Sequence, residues 1–289
     1  MIWDTFFAPF AEFEFMRRAL IGAIALALGA APAGVFLMLR RMSLTGDAMA
    51  HAILPGAALG YLVAGLSLPA MTIGGLAAGI AVAVGAGAVA RTTILKEDAS
   101  LAAFYLLSLA LGVTIVSTKG SNVDLLHVLF GSVLALDDQA LLLIAGIATV
   151  TLFAFAVILR PLVLDCIDPN FLRSVSRSGA AVHLVFMTLV VLNLVGGFHA
   201  LGTLLAVGIM MLPAAAARLW VSDLTALCVV AAGFGIASSY GGLIVSYHES
   251  LPAGPSIILV AGVIYMISLV FGRAGGLARD LGRRRHLEA

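Results

Sequence analysis

Nine apolar stretches of about 20 residues follow one another along this chain, separated by short polar breaks. Each is long enough to cross roughly 30 Å of hydrocarbon as a helix rising about 1.5 Å per residue. They lie at roughly 17–39, 44–66, 70–90, 99–117, 140–159, 179–196, 198–217, 222–246 and 253–272. A further apolar stretch, 122–136, is shorter and flanked by Asp124, Asp137 and Asp138, so it reads as an interfacial or re-entrant helix. With 62% hydrophobic and 11% charged residues, the chain has no segment polar enough for a separate soluble domain. The pattern predicts an all-α polytopic membrane protein, one transmembrane domain over 1–289. Its 31 glycines, many inside the spans, predict close helix packing in a compact bundle.

Nine spans place the termini on opposite sides, and the basic residues choose the side. With the C-terminus inside, the cytoplasmic set is Arg40, Arg41, Arg91, Lys96, Arg160, Arg173, Arg177, Arg218, Arg273, Arg279, Arg283, Arg284 and Arg285. Only Arg17, Arg18 and Lys119 fall outside. Residues 1–16 then form an outer or interfacial segment, and 273–289 a basic cytoplasmic tail. The first 15 residues carry Asp4, Glu12 and Glu14 and no basic residue, which excludes a secretory signal. Cys166 and Cys228 form no spaced pair, so they build neither a disulfide framework nor a thiolate metal site. The net charge of +1 by itself says nothing about partners; membrane lipid is the expected surroundings, and no nucleic-acid partner is expected.

Against this apolar background, Asp47 and His51 stand out, because an ionised side chain at a membrane-helix centre costs roughly 2.5–3.5 kcal/mol on insertion scales. At i and i+4 they share one helix face, and an oxygen with a nitrogen ligand suits a divalent transition metal. The plainer reading makes Asp47 a helix N-cap and His51 an interior histidine. Pro55, four residues on, loosens the backbone, as in helices that line transport paths. Asp124 with His127, at i and i+3, offers a second ligand pair near the outer mouth, against the ordinary reading of solvated loop charges. Asp137, Asp138 and His248-Glu249 read as solvated. His199, in a short turn between two spans, reads as a path-lining or interfacial residue, and His183 as structural.

The longest inner loop, 160–178, contains Asp168-Pro169, an N-cap followed by proline at the first helical position. A short helix carrying Phe171 and Leu172 beside Arg173 and Arg177 would offer an apolar knob with a basic rim to a cytoplasmic partner; the alternative is an ordinary connector. The sequence contains no phosphate-binding Gly-x4-Gly-Lys-Ser/Thr loop and no nucleophile–base pair, so a catalytic role is not indicated and any ATP hydrolysis belongs to another chain.

The run Arg40-Arg-Met-Ser-Leu-Thr-Gly-Asp-Ala-Met-Ala-His-Ala-Ile-Leu-Pro-Gly56 closely resembles the signature of the zinc/manganese-type ATP-binding-cassette permeases. Residues 200–218, Asp168-Pro-Asn-Phe-Leu-Arg173 and Leu251-Pro-Ala-Gly-Pro-Ser-Ile257 resemble further motifs of that family, and the likeness extends from about residue 15 to 272. It implies a bacterial inner-membrane importer with a fold similar to that of vitamin B12 and siderophore permeases. Two permease copies would pair with two ATPase subunits, and a periplasmic metal-binding protein would deliver the ion. Asp47 and His51 match the family's metal path, and 168–177 matches its ATPase-docking loop. No permanently bound cofactor is implied; the cargo is Zn2+ or Mn2+, with zinc slightly favoured. A chelate or cobalamin permease would need a wide path with few ionisable groups. An ion-coupled carrier would leave the docking loop without a role.

Overall fold

The computed structural model describes Trp3 and residues 6–65, 67–118, 133–167 and 179–277. A short helix α1 (Ala8–Glu12) leads into α2 (Glu14–Leu39). Two half-helices follow, α3 (Thr45–Ala52) and α4 (Leu54–Ala64), then α5 (Leu68–Thr92) and α6 (Glu97–Thr118). After a 3-10 turn at Val133–Ala135 come α7 (Asp138–Ile167), α8 (Gly179–Leu201), α9 (Thr203–Arg218), α10 (Leu224–Glu249) and α11 (Ala253–Phe271). Among the described residues eight helical stretches, with α3 and α4 taken together, are long and apolar enough to cross a membrane. The ninth expected span is α9, whose 16 residues rise only about 24 Å. It is a buried, shortened helix with Pro213 inside it, set between α2, α10 and α11.

Two boundaries differ from the sequence expectation. The helix α8 continues to Leu201 rather than ending near 196, because the turn falls at Gly202, whose φ of 95° an L side chain resists. Gly196 and Gly197 remain helical and pack against Ile147 and Ala206. His199 therefore sits in the last turn of α8, not in a turn between spans. The second span is broken at Ile53, just ahead of Pro55, which has no N–H to continue the ladder. Residues 122–132 lie outside the described residues, and 133–135 form the short 3-10 turn.

Helix α2 lies at the centre of the bundle, with 78% of its most apolar window buried against α7, α8, α9 and α10. Small residues permit this. A Cβ placed on Gly34 would lie 1.8 Å from the backbone oxygen of Met210, so α2 and α9 touch backbone to backbone. Gly56 and Gly74 approach each other in the same way where α4 crosses α5, and Gly60, one turn on, continues the contact. Toward the C-terminal end of α2, Phe36, Phe155 and Phe186 meet at centroid distances of 5.5–6.3 Å and fill the space between α2, α7 and α8.

The N-terminal segment packs along α10. Phe10 stacks on Tyr240, Phe13 meets Tyr247, and the Tyr240 hydroxyl donates to the Phe6 carbonyl at 2.8 Å. Arg17 and Arg18 are held at the start of α2: Arg17 donates to the Ala11 carbonyl, while Arg18 pairs with Glu14 and Asp138.

The turn that closes α2 governs the entry to α3. Met42 N–H donates to Leu37 O and Arg41 N–H to Met38 O, a paired C-terminal closure that requires a left-handed residue. Arg41 fills that position with φ 60°. A side chain there is strained relative to glycine by about 1 kcal/mol. Arg41→Gly is expected to raise the unfolding midpoint slightly; an unchanged or lowered midpoint in detergent would show that the Arg41 side chain offsets the strain.

Candidate functional site

The half-helix α3 is only eight residues long, and Asp47 and His51 stand at its two ends. The capping role open to Asp47 is not realised. Leu44 occupies the N-cap position, no side chain caps the helix, and Asp47 lies within the first turn. There its negative charge faces the positive end of the helix dipole. His51 follows one turn later on the same face, with Nε2 3.8 Å from Asp47 Oδ1. That gap exceeds a hydrogen bond. It lies within the span of two ligand atoms each about 2.0–2.2 Å from one ion.

The pair differs in exposure: 66% of the Asp47 side chain is accessible and 31% of His51. The inner nitrogen of His51, Nδ1, is buried without a hydrogen-bond partner, while its ring stacks loosely on Tyr105 of α6, with centroids 6.4 Å apart and planes inclined by 30°. Neighbouring Met49, Ala50 and Ala52 are fully or almost fully buried, which fixes α3 against α5, α6 and α8. At the break before α4, Ser108 Oγ of α6 donates to Ala52 O at 2.8 Å, supplying a partner where the helix is interrupted. The donor pair is thus held on a short rigid platform with Asp47 open to the outside of the chain.

Among the described residues no three His, Cys, Asp or Glu side chains gather closely enough to hold a metal. Asp47 and His51 bring one carboxylate oxygen and one imidazole nitrogen together, two candidate ligand atoms. Asp124, His127, Asp168, Pro169, Phe171, Leu172, Arg173 and Arg177 lie outside the described residues, as does the side chain of His199. His248 meets Tyr247 edge-on at the end of α10.

One cluster escaped the sequence reading. Arg40, at the end of α2, pairs with Asp165 near the end of α7 and lies 3.0 Å from Nδ1 of His183 near the start of α8. A guanidinium has only donors, so His183 Nδ1 accepts and the ring hydrogen sits on Nε2. The Arg40 side chain is 6% exposed and that of Asp165 13%. Its guanidinium carbon rests 4.7 Å from the centre of the Phe186 ring. These partners are 125 and 143 residues away in the chain, and no local pattern announces them.

Residues 12–272 match the model of the ABC 3 transport family. The chain belongs to that family. The manganese import system permease protein ScaB of Streptococcus parasanguinis is 33% identical over 257 residues, covering 89% of this chain and 90% of that protein. The manganese transport system membrane protein MntC of Listeria monocytogenes is 32% identical over 266 residues, covering 92% and 94%. Among solved structures, PsaBC from Streptococcus pneumoniae in complex with Fab superposes with a TM-score of 0.83 at 30% identity, over 95% of this chain and 97% of that one. The chain is therefore a multi-span transport permease, not an enzyme, and its all-α bundle is the family's architecture.

Proposed function

We propose that this chain is the membrane permease of an ATP-driven importer for a divalent transition metal, manganese ahead of zinc. The observation that carries the reading is the Asp47–His51 pair, an oxygen and a nitrogen 3.8 Å apart on one short helix. The names of ScaB and MntC favour manganese over the slight lean to zinc drawn from the sequence. A transport site must release its ion, and two protein ligands completed by water hold it less firmly than a closed four-ligand cage. The exposure of Asp47 suits a path formed where two copies of the chain face each other, each contributing one pair. The basic residues favour a cytoplasmic C-terminus and an outer N-terminus in a bacterial cell membrane, with a metal-binding protein on the outer side. Asp124, His127 and His199 are further candidates along the route.

The direct test is uptake of Mn2+, Zn2+ and Fe2+ by the complete complex in liposomes, singly and in competition. Manganese uptake that depends on ATP supports the proposal. Equal uptake with an inactivated ATPase would place the protein among ion-coupled carriers instead.

The segment 168–177 is proposed as the ATPase-docking element, with Asp168 and Pro169 opening a short helix, Phe171 and Leu172 as anchors and Arg173 and Arg177 as rim. Buried anchors dominate interface energies, at about 2 kcal/mol or more on truncation. Phe171→Ala is therefore expected to release the ATPase on purification, and Arg177→Ala to weaken binding mildly in a salt-dependent way. A full complement of ATPase on Phe171→Ala would make the segment a connector only.

A further inference from the structure

The Arg40 guanidinium joins three helix ends. Arg40 is itself the C-cap of α2, and its guanidinium reaches the last turn of α7 through Asp165 and the start of α8 through His183. Asp165 stands three residues before Asp168, and His183 six residues after Arg177, so both contacts flank the proposed docking segment. Seven residues beyond Arg40 comes Asp47. The intervening turn is itself hydrogen-bonded, with Met42 N–H on Leu37 O and Thr45 N–H on Met42 O.

We propose that Arg40 is a positioning residue that couples the docking segment to the metal pair. Its forked donors tie the ends of α7 and α8 to the α2–α3 turn, so a displacement imposed between Ile167 and Gly179 is passed to Asp47 and His51. A buried guanidinium cannot release a carboxylate without leaving an uncompensated charge, which keeps the link taut. The planar fork lets one side chain hold two partners at once, and the Phe186 face fixes its plane. Three aromatic rings beneath it, Phe36, Phe155 and Phe186, leave the cluster little room to slide.

This inference rests on the reading of 168–177 as the docking element. Its test is the number of Mn2+ ions moved per ATP hydrolysed, measured on the permease–ATPase complex reconstituted with its metal-binding protein. Arg40→Gln and Asp165→Asn are each expected to keep the ATPase bound and hydrolysing while the ratio falls about 10-fold, within the usual range for coupling between sites. The double variant is expected to fall no further than either single one, because the two residues act as one link. Arg40→Lys keeps the charge but loses the fork, and its ratio should lie between. A purely structural staple would lower the yield of complex and leave the ratio of the surviving complex at the wild-type value. That result overturns the proposal, as do additive losses in the double variant. If Arg40→Gln does not accumulate, a wild-type ratio in Arg40→Lys overturns it equally. Retention of the ATPase by Phe171→Ala would refute the docking reading separately, with the Arg40–Asp165 measurement unaffected.

Discussion

Asp47→Ala and His51→Ala are each expected to cut metal uptake by about 100-fold, since even the outer partners of metal ligands are commonly worth 10–100-fold. Among the described residues no third His, Cys, Asp or Glu stands close enough to take over. Losing the carboxylate removes the charge that draws a cation to an exposed position. Losing the imidazole removes the nitrogen that favours a transition metal over magnesium or calcium. Both variants should insert and fold, because Asp47 caps nothing and is largely exposed, and the half-buried His51 ring leaves no hydrogen-bond partner stranded when Nδ1 is removed. Metal-loaded liposome assays on equal amounts of complex give the measurement, and near-normal uptake by both variants would remove the pair from the path. His51→Asp is informative beside them: an all-oxygen pair should shift preference away from zinc while keeping some manganese uptake.

Gly34→Leu is expected to prevent folded protein from accumulating. At this position the first atom of any side chain would fall 1.8 Å from Met210 O, a backbone atom with no rotamer to escape into. Overpacking by extra methylenes usually costs about 1–3 kcal/mol, and a backbone collision between two central helices exceeds that range. Gly146→Leu is the matched control, since a Cβ there meets nothing within 4 Å. Size-exclusion profiles of detergent extracts separate the two. A monodisperse Gly34→Leu peak at wild-type yield would mean that α2 and α9 part more easily than their contact indicates.

Much of the bundle was legible because long apolar runs leave little choice of structure. What the sequence hid was the local geometry. Pro55 signalled a disturbance, and the break came at Ile53, two residues ahead of it. The sequence makes α9 look like a full span because its apolar run merges with the end of α8. Only the positive φ of Gly202 divides them there, while the neighbouring Gly196 and Gly197 stay helical. Aspartate is a common N-cap, which is why the sequence leaves a capping role open to Asp47 beside the metal role. In fact the closure of α2 ends at Met42, and Met42 O already receives the Thr45 N–H. The Asp47–His51 pair was legible because a one-turn spacing is local. Arg40 was not, since its partners are brought to it only by the packing of α2 between α7 and α8.

The central place of α2 has a consequence for how the protein is made. Helix α2 leaves the ribosome well before two of its main packing partners, α9 and α10. Until they arrive it is expected to stay in lipid, which its apolar composition allows, with the glycine and alanine surface they later cover still open. Assembly of this chain is therefore expected to finish with the closure of α9 and α10 around α2. Nascent chains halted before residue 203 should remain inserted yet open to membrane proteases. Protection should appear only once the segment through Glu249 has been synthesised.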